Sequence, residues 1–180
     1  MRVPYAQSVH GEPEVQAVVR VLRGNTAVGL CTADFERQVA GLFGKKFGVM
    51  VNSGSSANLL AVELINLPKG SEVITPLLTF STVVGPLVQK GLVPVFVDVV
   101  PGTYLADVDQ IERAITKKTR ALFIPSLLGN VPDLKRLRAI ADKHKLFLVE
   151  DSCDTLGARL FGKATGIYSD ITTTSFYGSH

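Results

Sequence analysis

The sequence has only two cysteines, Cys31 and Cys153. They can pair once at most and show no metal-ligand spacing, so neither a disulfide framework nor a cysteine metal site is indicated. Cysteine usage of this kind fits a reducing cytoplasm. No apolar run approaches the roughly 20 residues that cross a bilayer. Mean hydropathy is nevertheless +0.26, which points to strands buried on both faces. The N-terminal Met1-Arg2-Val3-Pro4-Tyr5 lacks the apolar core of a secretory signal. Net charge is +3, and the basic residues Lys45, Lys46, Lys117, Lys118, Lys135 and Lys145 are scattered. With no basic stripe for a polyanion, neither nucleic acid nor a membrane is expected as a partner. Internal repeats, low-complexity tracts and clear linkers are also missing. So are the GxGxxG and GxxxxGK[ST] spacings, which disfavours a dinucleotide or ATP site.

What is present suits one well-buried domain: 180 residues, 46% hydrophobic and 19% charged. From Phe47 on, short β-branched runs alternate with segments of helical period, the pattern of βα units and a mainly parallel sheet. The runs predict strands at 47–51, 72–76, 93–97, 120–125, 146–150 and 171–175. The period predicts helices at 55–67, 79–89, 107–115 and 133–144. Upstream, Val15, Val18, Val19 and Leu22 form one apolar stripe, and Phe35, Val39, Leu42 and Phe43 form another; both helices are expected to dock outside the sheet. The predicted organisation is therefore an N-terminal helical segment, 1–45, joined as one unit to an α/β domain, 46–180. The sequence stops at His180 directly after a predicted strand, so either a longer protein or another element is expected to cover that edge.

Four segments can carry chemistry. Asn52-Ser53-Gly54-Ser55-Ser56-Ala57-Asn58 follows a predicted strand and opens a helix, where free N–H groups, the positive helix end and hydroxyls converge on an anion-sized space. A phosphate suits that space; a plain N-cap turn is the other reading. Glu150-Asp151-Ser152-Cys153-Asp154 lies at the carboxyl end of a strand, where ligands bind in open α/β sheets. Asp151 either keeps a pyridine nitrogen protonated or caps a following helix. Cys153 reads as packed interior, with no basic partner nearby. Phe80 either supplies a face for a flat ligand or belongs to the core. In Ser175-Phe176-Tyr177-Gly178-Ser179-His180, Ser175 can add a hydroxyl to the cradle and His180 can act as acid or base near neutrality, or the end of the segment has no role.

In order and spacing, these segments together with Thr75-Pro76 and the run from Pro94 to Val99 resemble the DegT/StrS family of nucleotide-sugar enzymes. The resemblance covers residues 12–180. It implies the large domain of the fold type I pyridoxal-phosphate transferases, α/β with a mainly parallel sheet flanked by helices and without the C-terminal small domain. It implies pyridoxal 5'-phosphate or pyridoxamine 5'-phosphate as cofactor, with Ser55, Ser56 and Ser175 on the phosphate, Phe80 on the ring, Asp151 on its nitrogen and Asp154 also at the cofactor. In aminotransferases of the family, Ser-Phe and three further residues precede the lysine that binds the cofactor covalently; here His180 holds that register. This is similar to the sugar 3-dehydratase branch, as is the run Glu150 to Gly157. Leu128-Gly129-Asn130 also resembles that branch, although Ser126 stands where a histidine is often found.

The implied reaction is loss of the C3 hydroxyl from a 4-keto-6-deoxy nucleotide hexose, in deoxysugar or lipopolysaccharide biosynthesis. His180 and Asp151 would be its catalytic residues. A nucleotide sugar as substrate, a homodimer, and an iron–sulfur reductase for a reductive outcome follow from the same resemblance. The alternatives are a DegT-type sugar aminotransferase, and a non-catalytic fragment or regulatory module that binds the cofactor.

Overall fold

The computed structural model describes Pro4 and residues 6–178. Two helices open the chain, α1 (Glu12–Arg23) and α2 (Leu30–Leu42), followed by α3 (Gly54–Ile65). Then strands and helices alternate: β1 (Glu72–Pro76), α4 (Ser81–Gln89), β2 (Val93–Val97), α5 (Val108–Ala114), β3 (Thr119–Pro125), α6 (Leu134–His144) and β4 (Phe147–Asp151). A two-residue hairpin, β5 (Arg159–Leu160) with β6 (Lys163–Ala164), and a 3-10 turn (Thr165–Tyr168) lead into β7 (Ile171–Thr173). Five strands form one sheet in the order β2-β1-β3-β4-β7. Every pairing in it is parallel.

Side-chain alternation along the strands builds the layers. Ile74, Leu122, Ile124 and Leu148 point to one face and pack on Ile111 of α5 and on Leu134, Leu137 and Ala141 of α6. Their neighbours Val73, Ala121, Phe123 and Val149 point to the other face, against Ala61, Val62 and Ile65 of α3 and Val83 and Leu87 of α4. Helices on both faces leave the central strands no wet side, which is why their sequences are continuously apolar. Caps fix where helices begin. The Asp107 carboxylate accepts from the N–H groups of Asp109 and Gln110 at 2.9 and 3.0 Å, and Asp133 accepts from Arg136 at 3.0 Å.

Residues 47–51, expected as a strand, have no strand partner. Instead the segment lies along α2, where the Met50 N–H donates to the Glu36 carboxylate at 2.8 Å. A Cβ at Gly48 would sit 2.6 Å from the Glu36 carbonyl oxygen, so glycine permits the approach. The run is apolar without being core: Phe47, Val49 and Met50 are exposed. The two N-terminal helices add little to the core. Helix α1 buries none of its residues, and α2 buries Ala40 alone.

Candidate active site

The strand order runs outward from β1 to β2, then resumes on the far side of β1 with β3. Such a reversal opens a crevice at the carboxyl ends of the strands. A cleft of about 1270 Å³ lies there. It is bounded by the turn after β1 (Leu78 to Phe80), the loop after β3 (Leu127 to Gly129), the ends of β4 and β7, and the first turn of α3.

Helix α3 enters this cleft with its N-terminus. The Ser53 hydroxyl accepts from the Ser56 N–H at 3.1 Å and caps the helix. A Cβ on Gly54 would meet the Cys153 sulfur and the Ser175 Cβ, each at 3.0 Å. Glycine thus lets the helix end press against the residues following β4 and β7. Ser55 and Ser175 both line the cleft. The Ser175 Oγ accepts from the Tyr177 N–H at 3.2 Å, which leaves its own proton free to donate. Ser56, expected beside them, is not on the cleft lining; its Oγ accepts a 3.1 Å hydrogen bond from Ser53.

Asp151 ends β4 and is 5% exposed. Its Oδ2 accepts from Asn58 Nδ2 at 2.9 Å and its Oδ1 from the Cys153 N–H at 3.1 Å. No helix follows β4 for it to cap, and among the described residues it makes no ion pair. A buried carboxylate on a cleft wall without a cation suits a ligand that brings a positive or N–H group. Phe80 is 66% exposed on the same cleft, so it is a wall and not core. Thr79 beside it has a buried hydroxyl with no hydrogen-bond partner among the described residues. Burial and the neighbouring Asp151 charge push the Cys153 thiol far up, so it is not a thiolate nucleophile at neutral pH. The Asp154 Oδ2 accepts from the Leu128 N–H at 2.9 Å, tying the loop after β3 to the turn after β4. His180, the expected base, lies outside the described residues.

Sequence reasoning missed two of the buried groups gathered here. Asn58 falls within the predicted helix but carries no role in the sequence reading; it sits one turn into α3 and is 1% exposed. Thr173 donates to its Oδ1 at 2.7 Å. The signal available was a primary amide amid the apolar positions of a helix that has a core face. Among the described residues no group of three or more His, Cys, Asp or Glu side chains could hold a metal. No helix of the described residues is long and apolar enough to cross a membrane.

An anion-ready helix end, two hydroxyls, an exposed aromatic wall and a buried carboxylate with no ion pair among the described residues fit a flat phosphorylated ligand with a ring nitrogen. The fold is that of the pyridoxal-phosphate-dependent, aminotransferase-like structures. It superimposes with a TM-score of 0.94 and 33% identity on a GDP-4-keto-6-deoxymannose 3-dehydratase variant with bound GDP-perosamine, covering 99% of this chain and 48% of that one. With the Escherichia coli GDP-4-keto-6-deoxy-D-mannose 3-dehydratase bearing hydrated pyridoxal phosphate, the TM-score is 0.85 at 34% identity, over 90% of this chain and 43% of that one. The chain belongs to the DegT/DnrJ/EryC1/StrS aminotransferase family, whose model matches residues 9–180. It is 44% identical over 177 residues to a dTDP-4-dehydro-2,6-dideoxy-D-glucose 3-dehydratase of Saccharopolyspora spinosa, over 94% of this chain and 38% of that protein. The chain thus spans less than half the length of the curated relatives it matches.

Proposed function

We propose that this chain is the cofactor-holding part of an enzyme dependent on pyridoxal or pyridoxamine phosphate that removes the C3 hydroxyl of a 4-keto-6-deoxy nucleotide hexose. The observation that carries the cofactor reading is Asp151, a buried carboxylate without an ion pair among the described residues, on the cleft that α3 enters by its N-terminus. The choice of dehydration over amino transfer rests on sequence: in the run Ser175 to His180 an imidazole stands at the lysine register.

The residues divide the work. Amides of the first α3 turn, with the Ser55 and Ser175 hydroxyls, bind the phosphate. Phe80 covers a ring face and helps exclude water. Asp151 holds a proton on the pyridine nitrogen, because its negative charge favours the protonated form. When bound, pyridoxamine phosphate supplies an amine for the sugar ketone and a ring that accepts an electron pair. His180 takes a proton from the cofactor's methylene carbon and delivers one to the departing C3 hydroxyl. An imidazole forms no lasting covalent imine with the cofactor aldehyde, so contacts alone hold the cofactor. The reading includes a homodimer, supported by the uncovered apolar stripe of α1.

Titrating the chain with each cofactor form while following absorbance tests the first half; absence of binding by both sinks it. For the second half, His180→Lys is mixed with pyridoxal phosphate, reduced with borohydride and mapped by mass spectrometry. A covalent adduct at position 180 with loss of 3-dehydration is the expected result. No adduct and intact dehydration would remove His180 as the base.

A further inference from the structure

A buried amide is an expensive choice on an apolar helix. Asn58 lies on α3 three to four positions before Ala61 and Val62, both core residues, where an aliphatic side chain would bury more favourably and favour the helix more. It is tolerated because both ends of the amide are satisfied. Nδ2 donates to Asp151 Oδ2 at 2.9 Å, and Oδ1 accepts from Thr173 Oγ1 at 2.7 Å. The carboxylate of Asp151 can only accept, so the amide must turn its NH₂ toward β4 and its oxygen toward β7. In the opposite orientation the Thr173 oxygen would accept from the NH₂, and its own proton would be left with only the Glu150 carbonyl at 3.5 Å. With the Cys153 N–H at 3.1 Å on Oδ1, each oxygen of Asp151 has one fixed donor. The carboxylate plane is therefore set before any ligand arrives.

We infer that Asn58 and Thr173 are positioning residues that orient the Asp151 carboxylate toward the ring nitrogen of the bound cofactor. The inference rests on the cofactor reading above and assigns its key contact two supports. Both border the cleft, but their hydrogen bonds run to the carboxylate: Asn58 acts through Asp151, and Thr173 acts through Asn58. A hydrogen-bonded carboxylate held in one plane meets a ring N–H at fixed geometry, whereas a free one spends binding energy on being ordered.

The test compares pyridoxal phosphate with its 1-deaza analogue, in which carbon replaces the ring nitrogen. Affinities are measured for the parent chain, Asn58→Leu and Thr173→Val, alongside thermal melts. The parent is expected to bind pyridoxal phosphate more tightly than the analogue. Asn58→Leu is expected to lose roughly tenfold for pyridoxal phosphate, the loss typical of a hydrogen bond to a charged group, and little for the analogue. Thr173→Val should move the same way by a smaller factor, and it stands in if Asn58→Leu does not fold. Equal losses for both ligands would mark the pair as structural glue and overturn the inference, as would no loss for either. If the parent binds neither ligand, the cofactor reading itself falls, and this inference with it.

Discussion

Glu150 is a carboxyl without solvent exposure. It is fully buried, and its Oε2 accepts from Ser169 Oγ at 3.3 Å and Thr172 Oγ1 at 3.1 Å. Burial pushes it above the ordinary value of 4.5, while the Thr165, Thr172 and Ser169 hydroxyls and the charge of Lys45 pull the other way. Lys45 is itself held down by burial and donates from Nζ to the Ser169 and Asp170 carbonyls. The folded chain therefore holds the Glu150 proton to higher pH than the unfolded chain does. Its stabilising contribution is complete below 4.5 and is lost as pH rises through the raised value. Glu150→Gln, which cannot ionise, is expected to melt higher than the parent at about pH 8, the gap closing toward about pH 4. Melts across that range check it; a gap that does not change with pH would show that ionisation is not the cause.

At the scale of elements, Asp154 is the strut between two loops. Leu128 lies in the left-handed region at φ 55°, which a branched side chain seldom adopts, and its N–H is held by Asp154. Asp154→Ala is expected to speed amide exchange at Leu128 by roughly three- to tenfold with little change in melting, since the strut fixes a loop and not the core. Hydrogen exchange followed residue by residue reads this directly. The elements themselves were largely legible. Strands β1 and β2 lie where the β-branched runs put them, and α6 starts after the Asp133 cap. The run 47–51 was not legible, because its apolar residues face the cleft and solvent while looking, in sequence, like a buried strand. Of the residues expected at a site, Ser55, Phe80, Asp151 and Ser175, placed by strand ends and the helix start, and Asp154, placed by resemblance, all line the cleft, whereas Ser56 does not. Asn58 and Thr173 escaped because pairing across the sheet's end is invisible to local pattern. Their partners are far away in the chain.

Over the whole molecule, one face is conspicuously unfinished. Helix α1 is 12 residues long and buries none of them, and Val15, Val18, Val21 and Leu22 are all exposed. Helices of that length are marginal in water without a packing surface. Exposed apolar stripes of this kind mark contact surfaces. The chain is expected to sediment as a dimer at micromolar concentration, and Val18→Glu with Leu22→Glu should shift it to monomer while leaving the sheet intact by circular dichroism. A parent that sediments as a monomer would remove the dimer from the proposed function.

The bridge from Asn58 to its partners also has a meaning in time. It spans 93 positions to Asp151 and 115 to Thr173. Contacts of such separation form late, after the loops between them have closed. The core around β1, β3 and β4 is therefore expected to assemble before β7 docks. Thr173 on β7 then supplies the second anchor of Asn58, so the orientation of the amide is expected to be fixed late in folding.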